Sequence, residues 1–307
     1  MISVQGRTRL YFHAPLGFLR GHEAAVVAMQ AADLEAGVRG GDVRLQGLDA
    51  RLWVRHLGWD SRFFDCPTYR IDFADWPPDT PDPAAAVAAE VRRLVAGLGG
   101  VHPRYYLFAE VPSEDILLLQ VLGAAGLLLV ETRLTYVHES PGDASPDALA
   151  RTRAAGVDDI ADVRAAAIEA RNDFDRYHAD PFFAPGTADA YLAEYAEQCV
   201  RGFSDVVLVP GDHAPAGAFV CGKADIAAPD GLRIGRLQLA GVAATRRGGY
   251  RTLNEALLRW MHERGMSHVV NTTQSTNRAV IHVSTQLGYR YGRASHILAL
   301  GRSGGPQ

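Results

Sequence analysis

Residues 107–137, LFAEVPSEDILLLQVLGAAGLLLVETRLTYV, fall on residues 269–299, VVNTTQSTNRAVIHVSTQLGYRYGRASHILA, without a gap when the chain is shifted by 162 positions. Identity is sparse, with only Ser113/Ser275, Val121/Val283 and Gly126/Gly288 coinciding. The pattern carries the signal. Each segment reads as a short strand, a polar turn, a helix that stops at glycine, and a second strand. A helix precedes each, over Ala84–Leu98 and Tyr250–Glu263. A duplicated helix–strand–helix–strand unit predicts an α/β (mixed-sheet, α+β) chain built as two related domains.

At 307 residues the chain is comfortable for two domains. Two stretches have linker composition. Residues 74–84, ADWPPDTPDPA, carry four prolines and read as a loop that opens the helix Ala84–Leu98. Residues 139–153, ESPGDASPDALARTR, follow strand-like sequence over Val130–Val137 and take the domain boundary. This divides the chain into residues 1–140 and 150–307.

Charge excludes several classes of function. Thirty-one basic against thirty-five acidic side chains leave −4, which argues against holding nucleic acid or an anionic membrane by bulk charge. Lys223 is the only lysine, a bias that points to a GC-rich genome rather than to phosphate binding. Cys66, Cys199 and Cys221 are far apart, without C-x-x-C or histidine partners at metal-ligand spacing, so no metal site is expected. The opening residues lack the apolar run of a signal peptide, and Ile116–Val130 falls short of the ~20 residues a membrane span needs. A soluble, cytoplasmic protein with reduced cysteines is the expectation, and it leaves room for a homo-oligomer.

Only the second half carries a glycine-and-arginine loop before its helix. A strand, Ile234–Ala244, runs into 245-TRRGGYR-251 and then into the helix. Unpaired amides and the helix dipole make such a junction suited to an anion, and Gly248 and Gly249 let main chain approach it closely. Arg246, Arg247 and Arg251 carry charge that offsets a phosphate. A plain β–α turn with solvated arginines fits the loop equally well. The motifs G-x-x-x-x-G-K-[ST] and G-x-G-x-x-G are both absent.

With these residues in view the chain resembles the GNAT superfamily of acyl-CoA-dependent N-acyltransferases. The order is loop strand, pyrophosphate loop with helix, strand 268–274, and 277-NRAVIHVSTQLGY-289, which is similar to the family's N-x-x-A-x(7)-G-[FY] helix. More narrowly it resembles the TDP-fucosamine acetyltransferase branch, through 57-LGWDSRFFD-65, 172-NDFDRYHADPFF-183 and the run Thr273–Asn277. That resemblance implies tandem GNAT-like domains, the first incomplete and lacking the pyrophosphate loop. It implies acetyl-CoA or another acyl-CoA as co-substrate and a nucleotide-linked amino sugar as acceptor. Two departures stand out. Thr245 and Tyr250 replace the usual residues of the [QR]-x-x-G-x-[GA] loop, and Ser284 takes the place of the tyrosine that protonates the leaving thiolate.

Acyl transfer to an amine needs a deprotonated amine, an aligned carbonyl, an oxyanion donor and a proton for the thiolate. The resemblance places pantetheine along the backbone of Leu239, Ala240, Gly241 and Val242. Phosphates then fall to the amides of Arg246, Arg247, Gly248, Gly249, Tyr250 and Arg251. Asn277 caps the following helix or holds pantetheine. For the acceptor, Asn172, Asp173, Asp175, Arg176, His178 and Asp180 crowd one interhelical loop between Asp158–Ala170 and Thr187–Cys199. His178 or Asp173 would serve the amine and its proton, with Ser284 too weakly acidic to be the sole general acid. Asn172, Asp175, Arg176 and Asp180 would hold the substrate. The bland alternative is a polar loop stapled by Asp–Arg pairs. His282 reads as a surface or subsite residue, Ser295 and His296 equally as lining of the acceptor site or as core or edge residues, and Trp59, Phe63 and Phe64 as packing aromatics within a segment that could reach the substrate cleft. Two other functions stay open: an aminoacyl-tRNA-dependent peptidyltransferase, which the lack of basic excess disfavours, and a CoA-binding protein without catalysis.

Overall fold

A computed structural model describes residues 2, 4–47, 50–212 and 215–303. Elements follow in chain order: α1 (Val4–His13), α2 (Glu23–Gly40), β1 (Val43–Gln46), β2 (Arg51–His56), α3 (Gly58–Phe63), β3 (Thr68–Asp75), α4 (Pro83–Val101), β4 (Tyr105–Pro112), α5 (Ile116–Ala124) and β5 (Leu128–His138). The second half adds β6 (Thr152–Ala154), α6 (Ile160–Glu169), α7 (Arg176–Ala179), α8 (Pro185–Gln198), β7 (Val206–Pro210), β8 (Ala218–Ala227), β9 (Arg233–Val242), α9 (Gly249–Glu263), β10 (His268–Gln274), α10 (Arg278–Gln286) and β11 (Arg290–Arg302). Among the described residues no helix is long and apolar enough to cross a membrane.

The repeat read from the sequence holds to the residue. Shifting α5 by 162 positions gives the bounds of α10, and β5 starts where the shifted β11 does. The caps agree as well. Asp115 accepts from the amide of Leu118 at α5, and its counterpart Asn277 accepts from Val280 at α10. Gly126 and Gly288 end the two helices with φ of 94° and 86°, the left-handed turn that favours glycine. The 84–98 helix extends to Pro83–Val101, with Asp82 as its N-cap and Pro83 in the first turn.

Two compact units emerge, and they do not follow the linear division at residues 140–150. One comprises Met1–Arg133, Ala179–Phe182 and Arg293–Gln307; the other comprises Leu134–His178 and Phe183–Gly292. In the first, strand order runs β1-β2-β3-β4, and Ser295–Arg302 of β11 lies antiparallel to Pro112–Tyr105 of β4. In the second, order runs β6-β7-β8-β9-β10, and β5 is the next neighbour of β10. The last strand of each repeat therefore completes the sheet of the other. Sheets are mixed: β3/β4 and β9/β10 are parallel, the other assigned pairs antiparallel.

Each unit has helices on both faces of its sheet. In the first, Leu52, Val54, Ile71, Leu107 and Leu298 pack under α4 and α5 against Val87, Val91, Leu118 and Leu122. On the other face Trp53 and Phe73 pack with Leu10 of α1 and Leu34 of α2. In the second, α9 lays Leu253, Ala256, Leu257 and Met261 against Val206, Val220 and Val269. Its opposite face joins Val163 and Ala166 of α6 to Phe219, Cys221 and Val207. All three cysteines are buried and free.

Candidate active site

The sheet of the second unit opens at one point. Parallel pairing between β9 and β10 covers four residue pairs and ends at Leu237/Asn271. At the same point the β8/β9 register jumps from Gly222↔Leu237 to Cys221↔Leu239, which leaves Gln238 as a bulge. Beyond it β9 continues to Val242 with β8 as its one strand partner among the described residues, through Val220↔Ala240, Phe219↔Gly241 and Ala218↔Val242. Leu239, Ala240, Gly241 and Val242 thus turn one backbone edge toward a gap where β10 has diverged. Such an edge offers amides and carbonyls to an extended ligand.

The gap leads to the N-terminus of α9. Ala244–Arg246 form a 3₁₀ turn, and Gly248 follows at φ 91°, in the N-cap position, with no side chain capping the helix. A Cβ at Gly248 would meet no atom within 4 Å, so this glycine is required by its dihedral and leaves open space above the first-turn amides. The arginines divide. Arg246 forms two hydrogen bonds to the Asp212 carboxylate, at 2.6 and 2.8 Å, and a third to Pro215 O. Arg251 donates to Gln286 Oε1 at 3.1 Å. The Arg247 side chain is exposed and has no hydrogen-bond partner among the described residues, while its amide donates to Ala244 O at 3.3 Å. The expectation of three arginines toward one phosphate reduces to Arg247, with Arg251 loosely engaged. Glu169, unremarked in the sequence, accepts from the Ala244 amide at 2.7 Å and holds the start of the loop. Nothing local distinguishes that glutamate; α6 brings it there.

Behind the loop lies a closed polar network. Tyr250 Oη accepts from Asn254 Nδ2 at 3.2 Å and Asn271 Nδ2 at 3.0 Å, and Asn271 Nδ2 also donates to Ser284 Oγ at 3.0 Å. Tyr289 Oη donates to Asn254 Oδ1 at 2.9 Å. Asn254 and Ser284 are wholly inaccessible to solvent. Burial pushes the Tyr250 hydroxyl up to about 12 and the Tyr289 hydroxyl well above its ordinary value. Ser284 is the one buried residue of α10, so it faces this network and not solvent. His178 and Asp173, grouped with it as candidate catalytic residues, lie elsewhere in the chain, at and just before α7. Tyr250 contributes its backbone to the loop while its ring turns inward. Asn277 caps α10.

The acceptor loop also resolves into separate roles. Asp175 Oδ1 accepts from the amides of Tyr177 and His178, and its Oδ2 meets His178 Nδ1 at 2.8 Å. Asp189 Oδ1 meets the other ring nitrogen at 3.2 Å. The Asp175 hydrogen bond raises the His178 pKa, outweighing burial. Both ring nitrogens of His178 are thus engaged by carboxylates, Asp175 on one side and Asp189 on the other. Arg176 is buried, stacked over the Tyr177 ring and bonded to its hydroxyl. Asp173 projects into solvent beside Arg171 Nε, at 3.2 Å. Asn172 Nδ2 reaches Gln274 Oε1 at 3.3 Å and so ties the loop to the diverging end of β10. Asp180 is separated from the rest: it belongs to the first unit, where it accepts from Tyr106 Oη at 2.8 Å. Ser295 and His296 belong there too, bonded to Glu110 and to Ser113 and Thr132. His282 is exposed, as expected. Among the described residues no cluster of three His, Cys, Asp or Glu is placed to bind a metal.

The first unit repeats the opening but fills it. Its β3/β4 pairing ends at Ile71/Ala109 after the same four pairs, and the β2/β3 register skips Asp72. There Arg9 of α1 donates to Ala74 O at 2.6 Å, bonds the cap residue Asp115, and lies 3.8 Å over the Trp76 ring. Ala74 and Asp115 are the counterparts of Ala240 and Asn277. The following loop carries Pro77, Pro78, Pro81 and Pro83, which lack amide donors.

No protein-family model and no curated protein matches the sequence. Solved structures do. The chain is similar over 98% of its length, and 95% of the other chain, to a GCN5-related N-acetyltransferase from Sphaerobacter thermophilus, at TM-score 0.58 and 14% identity. A second GCN5-related N-acetyltransferase, from Kribbella flavida, gives TM-score 0.53 at 15% identity, covering 91% and 95%. A tandem GNAT protein from the clavulanic acid biosynthesis pathway matches 99% of this chain and 96% of its own, at TM-score 0.51 and 16% identity. The chain has the GNAT acetyltransferase fold, in its tandem form.

Proposed function

We propose that the protein is an acyl-CoA-dependent N-acyltransferase with one acyl-CoA site, in the second unit. The observation that carries this reading is the opened β9 edge running into Gly248 and the uncapped start of α9. Pantetheine lies along Leu239–Val242, where amides and carbonyls align the thioester and stabilise its oxyanion. Pyrophosphate meets the amides of residues 248–251 and the Arg247 side chain. In the first unit Arg9 and the prolines leave no room for the same ligand. The transfer is acetyl transfer by direct attack of an amine on the thioester. Asp173 meets the incoming ammonium, and the amine's proton leaves to solvent, because both ring nitrogens of His178 are engaged by Asp175 and Asp189.

The acceptor class rests on the sequence resemblance alone: the amino group of a nucleotide-linked sugar. A second reading, CoA binding without turnover, draws on the burial of Ser284 where the family places its thiolate acid. Calorimetric titration with acetyl-CoA, followed by thiol release with a panel of amines that includes TDP-linked amino sugars, separates them. One acetyl-CoA per chain and thiol release with the sugars is the expected result. Binding without release from any amine establishes the second reading, and no binding overturns both.

A further inference from the structure

The sheet of the first unit is one strand shorter than that of the second. Matching β4, β3, β2 and β1 to β10, β9, β8 and β7 leaves β6 without a counterpart, so β1 is an edge that pairs only with β2 among the described residues. In the second unit that position is filled by the chain itself. β6 pairs antiparallel with β7, Ala148 just before it packs with the α9 core, and Ala155 just after it packs against the α6 core.

In the first unit the same position is flanked by two open clefts, one on each face of the edge. On the α4 face a cavity of about 410 Å³ is lined by Arg44, Arg93, Leu94, Gly97 and Leu98. On the α2 face a cavity of about 260 Å³ is lined by Ile2, Glu35, Val38, Arg39, Leu45 and Trp53. A strand laid beside β1 would send alternate side chains into the two clefts, as the two-residue period of a strand requires. The hydrogen-bond phase also fits. His56 N donates to Asp42 O, and the register places Arg44 and Gln46 in the same phase, so the amides of Val43 and Leu45 point away from β2. Gly97 lies inside α4, where glycine costs about 1 kcal/mol relative to alanine, yet a Cβ there would meet nothing within 4 Å. Packing does not demand it; the open cleft beneath it is what it preserves.

We propose that this edge is a docking groove for an extended, acidic segment of a partner protein, bound by adding a strand to β1. Three arginines border the groove against two glutamates. The Arg93 side chain is bonded to Glu90, while the side chains of Arg39 and Arg44 have no hydrogen-bond partner among the described residues. Apolar side chains at every second position would enter the α2 cleft against Val38 and Leu45, and carboxylates would meet Arg44 and Arg93. A second copy of this chain is the poorer occupant, since pairing β1 with β1 brings arginines of like charge together.

The test uses the full-length protein and a fluorescein-labelled peptide of about six alternating valine and glutamate residues, the length of an ordinary strand. Fluorescence anisotropy should show binding, at least about tenfold tighter than to the valine–lysine counterpart. Leu45→Pro removes one outward amide without touching the β2 ladder and should weaken binding about tenfold or more. Gly97→Leu fills the α4 cleft from an open helix position and should do the same, and it keeps the test decisive if the proline variant does not fold. No binding of the valine–glutamate peptide, equal binding of both peptides, or unchanged binding to folded variants overturns the proposal. A wild-type dimer in light scattering that Leu45→Pro dissolves assigns the edge to a second copy and overturns it as well.

Discussion

The hydroxyls of Tyr250 and Ser284 are held by one side-chain amide, Nδ2 of Asn271, at 3.0 Å each. Where the resemblance places a small residue this chain has Tyr250, and where it places a tyrosine this chain has Ser284. Both departures from the resembled pattern therefore meet in one buried polar cluster between α9 and α10.

Restoring the tyrosine alone should therefore overpack. Ser284→Tyr is expected to destabilise by about 1–3 kcal/mol, and Tyr250→Ala in the same chain should recover part of that loss. Urea melts of the two single variants and the double variant measure the coupling. Simple additivity of the two costs would show that the residues do not share space. Ser284→Ala should keep turnover within about tenfold, because its hydroxyl is wholly buried and held by Asn271 Nδ2.

At the loop, Gly248→Val should lower acetyl-CoA affinity by about tenfold or more, since a branched side chain in the left-handed conformation is strained and projects over the first-turn amides. Arg247→Ala should weaken binding more than Arg246→Ala, because Arg246 is already committed to Asp212. Calorimetry on the three folded variants decides it, and the reverse order of the two arginines would place the phosphates elsewhere.

His178 sets a pH dependence with a definite sign. Its pKa is raised in the folded chain, chiefly by the Asp175 hydrogen bond. Its stabilising contribution is complete below the unfolded value of about 6.5 and is lost as pH rises through the higher folded value. The melting-temperature gap between wild type and His178→Gln should be wider at about pH 5.5 than at about pH 8.5. A gap that widens toward alkaline pH would contradict the clamp.

Cutting the chain at the linker should fail. Residues 150–307 alone lose β5, the neighbour of β10, and leave Ser295–Arg302 without β4. Residues 1–140 alone lose the strand that covers β4. Neither piece is expected to melt cooperatively, as circular dichroism on each will show. A cooperative 150–307 that binds acetyl-CoA would refute the strand exchange as a requirement for folding.

The sequence by itself determined the repeat, because strand, turn, capped helix and glycine stop are local patterns: Asp115, Asn277, Gly126 and Gly288 act within a few residues of their own position. It also located the Gly248 turn, since a positive φ at a helix start is a backbone demand that the glycine answers alone. Tertiary structure alone decided what each charged side chain does. Arg246 is spent on Asp212, His178 is clamped by Asp175 and Asp189, and Asp180 bonds Tyr106, in every case except Asp175 through partners brought close only by folding. The exchange of the last strands was equally hidden. β5 and β11 have the same local pattern, and nothing in either states which sheet it will complete; that is fixed by which unpaired edge, β4 or β10, each strand can reach and cover.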